Sequence, residues 1–397
     1  MMRGVHIALL AWIGAVPLVA QTDWIVDATG GGHFTDLPQA VAAAAPGDGL
    51  IVRAGSYTGT TINFGLRIVG TTSARVTSGV LVIQAVPVSQ GVSIANLTVE
   101  SGVTIDSCPG PIVLDACAMV RSGGTSATMS NTALRIMNSA HVAVHRCTVV
   151  SSSFPNQAIT IADSTVALTD TYSVGSSPYP YFANLTQLAF PGGPGLSADR
   201  SVLHLTNPRL TGGGDGIGLD YNWFTPFPIA GPPAMSVRST TVRIAGNVSS
   251  VVTRSSGSVP DLEVTGGNLT VDPRTSVLAR RVRTSTPPTV TSIDVVDAAQ
   301  SGLSPRVDFT LLATSGATSW LLVSLPAPPI ALPPLGDLWL DPASTILVGG
   351  FVHQTDVVTT QVTLAAPIPT GTAITAQMAV VRPSGVSLGD PCHFVVR

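Results

Sequence analysis

The sequence predicts an all-β protein whose larger part winds as a parallel β-helix, and three observations predict it. Apolar residues fall in short alternating runs, the runs return in step along the chain, and no helical period comes between them. The unit is clearest in residues 133–150, ALRIMNSAHVAVHRCTVV, which pairs Leu134 with Ile136, Val142 with Val144, and Cys147 with Val149. Alternation at period two sends one side chain inward and the next outward, as in a strand. Asn138-Ser139 and His145-Arg146 separate the runs and suit corners. Three strands, two corners and a loop home make one turn of a triangular coil.

Copies follow downstream. First strands recur at Ile159, Leu196, Met235 and Leu262, at steps of 25, 37, 39 and 27 residues from Leu134 onward. Second strands recur at Val166, Leu203, Val242 and Leu269, at steps of 24, 37, 39 and 27 from Val142 onward. Two independent runs keep step even where the period jumps, which marks a solenoid. Strand-only repeats make it a parallel β-helix, with about eight coils stacked roughly 4.8 Å apart. The early coils are less regular. GLRIVG, GVLVIQAV and VSIANLTV supply strands near Ile68, Val82 and Ile94, with Val92 aligned to Val142 and Leu97 to Cys147.

Upstream, the stretch from Asp23 gives a strand at 24–26, a glycine turn at 30–32, and Thr35 or Asp36 as N-cap of a helix. Leu37, Val41 and Ala44 share one face of that helix. A solenoid must close its apolar end, and this helix is placed to do so.

The segments GGGHFTDLPQAV, APGDGLIV and AGSYTG resemble the first turn of right-handed parallel β-helix proteins of the pectin lyase-like superfamily. Pectin methylesterases and pectate lyases are members. With the repeats, the resemblance covers about residues 23–282. It implies a right-handed coil and is nearly silent on activity, because the superfamily spans lyases, esterases, glycosidases, epimerases and non-catalytic surface proteins. Asn156-Gln157-Ala158 is vaguely similar to the methylesterase stretch that holds a functional Gln. The DFIFG-like and LGRPW-like motifs are absent, as are the polygalacturonase NTD, DD and GHG signatures, so no family catalytic residue carries over.

After Arg283 the repeat stops. The expected division is a signal peptide at 1–20, the β-helix at 21–283, a linker at 284–291 and a C-terminal β-sandwich at 292–397. VDFTLLAT, SWLLVSL and TTQVTLAAPI read as sandwich strands broken by Pro and Gly. PLGDLWLDPASTILVGG resembles a C-terminal module of secreted bacterial proteins, which implies sorting, attachment or oligomerisation.

Composition narrows the function. Charged residues are 10% and hydrophobic ones 45%, so outer faces carry small neutral groups. All 19 basic residues are Arg, which removes lysine as a catalytic base. A net charge of −3 argues against a nucleic-acid surface. The N-terminus, with one Arg and an apolar core from Ile7 to Val19, reads as a secretory signal and is too short for a convincing membrane span. The mature chain is expected to be secreted, extracellular or held at the cell surface, with no membrane span. Cys117 and Cys147 hold equivalent places and should form an apolar core ladder, while a Cys108–Cys117 bridge is the alternative in an oxidising compartment. His141, His145 and His204 alternate with core positions, face outward, and are expected to be solvated.

The surplus residues in the long steps lie after the third strand, at one corner of neighbouring coils. Loops 174–194 and 212–233 must therefore emerge side by side. They hold Tyr179, Tyr181, Phe182, Phe190, Tyr221, Trp223, Phe224 and Phe227 in a chain only 5% aromatic. Tyr179, Tyr181, Tyr221, Trp223 and Phe224, with Asn222, are the candidate ligand-binding residues, since amphipathic rings suit the apolar faces of sugars. The same rings also suit a small core that orders the loops. Asp199 and Arg200 are further polar candidates. For catalysis, Asp215 and Asp220 are the carboxylate pair a glycosidase would need, and the base of a lyase, without Lys, falls to Arg or His, with Arg209 a candidate. GGGDGIGLD partly resembles a calcium-binding nonapeptide, but Gly218 stands where its key Asp belongs, so no cofactor is expected and calcium is the one ion considered. Three readings follow: a binder of polysaccharide or cell-surface glycan, a polysaccharide-degrading lyase or glycoside hydrolase, and a non-catalytic structural surface protein.

Overall fold

The computed structural model describes residues 21–121, 132–152, 157–176, 192–213, 231–246, 262–272, 306–363 and 368–397, together with short strands between them. It is a parallel β-helix followed by antiparallel sheets. First and second strands of successive coils join in a 17-stranded sheet, and third strands form a nine-stranded one.

Register follows the sequence repeat residue for residue. Leu134, Ile159, Leu196, Met235 and Leu262 lie side by side in consecutive coils. So do Val142, Val166, Leu203, Val242 and Leu269. Inward positions stack like with like. Ile94, Leu114, Val144, Leu168, Leu205 and Ile244 form one continuous buried column. Burying each such side chain contributes about 1.5–3 kcal/mol. Helix Leu37–Ala43 covers the first coil with Leu37, Ala40 and Val41. Asp36 is its N-cap, accepting from the Leu37 N–H at 2.8 Å.

The corners turn through left-handed residues. Asn138, Asp163, Arg200 and Ser239 do so after the first strand, and Asn96, Ala116, Arg146, Asp170 and Asn207 after the second. A residue without a glycine's freedom takes this conformation at a cost, which Asn and Asp lessen through local hydrogen bonding. The next residue points inward and satisfies the crowded backbone. Ser139, Ser164, Ser201 and Thr240 each donate to the carbonyl two residues back at 2.7–2.8 Å. Each also accepts a backbone N–H from the coil before, at 3.1–3.3 Å. A column of hydroxyls thus runs inside the first corner.

Thiols do the same work elsewhere. Cys108 occupies the hydroxyl position of its own coil and donates to the Asp106 carbonyl. Cys117 and Cys147 fill the second corner, donating to Asp115 and His145 carbonyls, as the ladder reading expects. All four cysteines are buried and free, so the Cys108–Cys117 bridge is overturned. The two thiols sit at opposite corners with strand Ile112–Asp115 between them, a span of about 13 Å that no disulfide bridges.

Beyond the coil, strands Thr289–Val295, Arg306–Leu312 and Val357–Thr363 form one sheet of a sandwich. Ile346–Val352, Thr318–Ser324, Ala373–Arg382, Gly385–Leu388 and Cys392–Val395 form the other. Phe309, Leu311, Leu321, Met378 and Phe394 fill the space between. A hairpin, Pro326–Leu332 with Gly336–Leu340, brings Trp339 to 0% exposure.

The sandwich is seated on the outer face of the second strands. Val395 packs on the stacked Ala95, Val113 and Ala143. Ser93 donates to the Gly371 carbonyl, Thr206 meets Thr289 at 2.9 Å, and Arg397 donates to Asn96 at 2.7 Å. This seat corrects the solvated reading of His141, His145 and His204. They do face outward from the coil, but the sandwich covers all three, leaving them at most 2% exposed.

Candidate functional site

The two long loops rise from the corner after the third strand, as their spacing requires. Their backbones pair into one four-stranded antiparallel sheet: Tyr179–Ala183 with Thr186–Phe190, then Gly216–Asp220 with Thr225–Ile229. Ala189 opposite Ile217 joins the two hairpins. Tyr179 stands opposite Phe190, Tyr181 opposite Leu188, and Gly218 opposite Phe227. Asp220 ends its strand opposite Thr225. Asp215, Tyr221, Asn222, Trp223 and Phe224 lie outside the described residues, as does Asn156.

Glycines set the loop feet. A Cβ on Gly175 would overlap the Gly193 carbonyl, and one on Gly192 or Gly213 would overlap the Ser176 carbonyl. Ser176 Oγ accepts the Gly193 N–H at 2.8 Å, and Gly213 donates to the Gly193 carbonyl at 2.8 Å. The runs GGP and GGG are therefore the places where two backbones touch.

The third strands lead into these feet, and their outer face carries a feature that the loop argument missed. Tyr172 is 43% exposed on strand Tyr172–Val174, three residues before the foot at Gly175. Arg209, also exposed, is its register partner on the next coil, and Thr148 is its partner on the coil before. The signal was present in TDTYSV. Inward Thr171 makes Tyr172 an outward aromatic, on a sheet face it shares with Thr148, Arg209 and the half-buried Val150 and Val174. An exposed ring beside a guanidinium and hydroxyls offers stacking and hydrogen-bond donors to one ligand.

Asp199 and Arg200 stand elsewhere. They lie at the corner after the first strand, in a stair of ion pairs. Arg200 grips Asp163 through two hydrogen bonds of 2.7 Å, and Arg238 grips Asp199 at 2.9 and 3.0 Å. Hydrogen bonding by Arg200 holds the Asp163 carboxyl below its ordinary range. These groups neutralise one another along the stack and are not brought to the loops.

The buried seat holds most of the strongly shifted titratable groups. Burial would raise the Asp115 carboxyl, yet His145, Arg146 and the Val395 N–H lower it to about 2. Burial opposes charge on His145 too, but the Cys392 sulfur and Asp115 lift its pKa to about 9. His141 falls to about 3 through burial alone. His393 is pushed well down by burial, with His141, His145 and His204 adding to it. The His141 and His204 rings meet the Trp339 ring edge-on at 4.9 and 5.1 Å. The four histidines are at most 2% exposed, beneath the seat of the sandwich. Among the described residues, no group of three His, Cys, Asp or Glu is arranged to hold a metal ion.

No family model matches the chain, and no curated protein matches it.

Proposed function

We propose that the chain is a secreted or cell-surface β-helix protein of the pectin lyase-like kind that binds a polysaccharide or cell-surface glycan. The ligand lies at the flank made by loops 174–194 and 212–233 and the outer face of the nine-stranded sheet. One observation carries this reading: Tyr172 stands exposed, beside Arg209 in register, at the foot of two loops whose strands join in a single sheet. Arg209 and Thr148 flank the ring in register, and a ring flanked by hydrogen-bond donors suits a sugar better than an apolar ligand. The apolar N-terminal stretch supports export.

The test is a glycan array read with the full chain, Tyr172→Ala and Trp223→Ala. Binding that falls at least about tenfold in Tyr172→Ala supports the site. No binding by the parent chain, or binding indifferent to both substitutions, removes the reading.

A further inference from the structure

Among the described residues, the sandwich is closed on one flank and open on the other. On the closed flank, Thr289 bridges to Asp390, and strand Cys392–Val395 is buried against the coils. On the open flank, each sheet ends in a seven-residue strand: Ile346–Val352 in one and Val357–Thr363 in the other. The two strands are consecutive in the chain, joined by residues 353–356, so they border the same side. Among the described residues, Ile346–Val352 pairs only with Thr318–Ser324, and Val357–Thr363 only with Arg306–Leu312.

Ile346–Val352 carries one device that keeps edges apart, a bulge at Val348 opposite Leu321 and Leu322, and the two strands are otherwise unprotected. ILVGGFV and VVTTQVT contain no charge and no proline. Native edges are ordinarily short, charged, proline-blocked or covered. Other borders of this module follow that habit: Gly385–Leu388 has four residues, Cys392–Val395 is covered, and Pro326–Leu332 holds three prolines. The core is also unfinished on this side. Val348 and Phe351 from one edge, with Val358 and Val362 from the other, pack against the core but are only half-buried. Leu347 and Val352 are 46% and 66% exposed on the border strand itself.

We propose that a second copy of this chain docks along the flank formed by Ile346–Val352 and Val357–Thr363. Two open edges, one in each sheet and about 10 Å apart, select the partner. A single extended peptide continues one sheet and leaves the other open. A partner that satisfies both must present two strands at sandwich spacing, and another copy, turned about a two-fold axis, presents these two. Antiparallel pairing of like strands then continues both sheets across the axis and closes the half-buried core. With no charge on either strand, self-association meets no like-charge repulsion.

Analytical ultracentrifugation of the full chain reads the outcome. The parent should sediment at twice the chain mass. Leu347→Lys with Val352→Lys, both at exposed positions, should return it to the monomer, raising the dissociation constant at least about tenfold. Val386→Lys, on a border strand away from this flank, should leave the dimer intact. A monomeric parent at every attainable concentration overturns the proposal, as does a dimer that survives the paired lysines. Should the paired lysines prevent folding, amide exchange of the parent decides. Amides of both strands must slow as concentration rises, and unchanged exchange rejects the dimer.

Discussion

The backbone N–H of Val395 donates to Asp115 Oδ2 at 2.9 Å, across 280 residues of chain. Asp115 ends the second strand of a central coil, and Val395 belongs to the last strand of the sandwich. The same carboxylate accepts from His145 Nδ1 at 3.0 Å and from Arg146 Nη2 at 2.9 Å, with 0% of the residue exposed. One buried anion thus gathers two coils and the terminal strand. Replacing it by Ala takes the acceptor from three donors, the buried His145 ring and Val395 N–H and the half-buried Arg146, and should cost about 3–5 kcal/mol. Urea unfolding of Asp115→Ala should show that loss. Asp115→Asn should lie between it and the parent, since an amide oxygen still accepts from Val395. A change below about 1 kcal/mol would contradict the role given to Asp115.

The seat should be pH-sensitive in both directions. His141 has its pKa lowered to about 3 in the fold, so its contribution is present above 6.5 and fades as pH falls from there toward 3. His393 is lowered as well and acts in the same sense. His145 is raised to about 9, so its contribution is full below 6.5 and fades as pH climbs toward 9. Asp115, at about 2, adds loss only below 3.8. The limbs meet near pH 6.5, where thermal stability should peak. Each group contributes a slope of about 1.4 kcal/mol per pH unit inside its window. His141→Phe should flatten the acid limb and leave the alkaline one. A melting temperature flat from pH 4 to 9 would show that these rings titrate as in water.

The coil was legible because its cause is local and repetitive. Leu134, Ile159, Leu196, Met235 and Leu262 are neighbours in the structure for the reason they align in sequence: each fills the same inward place. Asn138 and Arg146 were legible as corners, and the side-by-side loops followed from a similar surplus at one corner of neighbouring coils. The seat was not legible from the histidines alone, because outward from the coil is not the same as outward to solvent. The clue lay in their neighbours. Ala95, Val113, Ala143 and Ala167 are small or apolar at outward positions, a composition that fits a covered face better than a wet one. What covers them is set by long-range pairing, such as His204 with Asp390 at 2.8 Å, and no period in the sequence encodes that.

The loop feet make a prediction that separates scaffold from ligand contacts. Gly192 and Gly213 approach each other closely enough that a Cβ on either meets the other's Cα at 2.7–2.9 Å. Gly192→Ala must push the two feet apart, at about 1–3 kcal/mol. Glycan binding should fall with it, although residue 192 itself offers a ligand no side chain. Binding unchanged in Gly192→Ala would mean that the loops need not stand together.

The hydroxyl column in the first corner should matter more than the charged stair outside it. Ser164 Oγ donates to the Ala162 carbonyl at 2.7 Å and accepts the Ser139 N–H at 3.1 Å. Ser164→Ala leaves that buried N–H without an acceptor, at about 1–3 kcal/mol. Ser164→Cys should be milder, because Cys108 already fills an equivalent place with a thiol. Arg200 is exposed, so its pairing with Asp163 is weakened by water and salt, and Arg200→Ala should shift unfolding less than Ser164→Ala does. The ordering to be measured is Ser164→Ala most damaging, Ser164→Cys intermediate and Arg200→Ala least, with only the last losing its effect in high salt. The reverse order would place the stabilisation of the corner in its surface charges instead of in the hydroxyls beneath them.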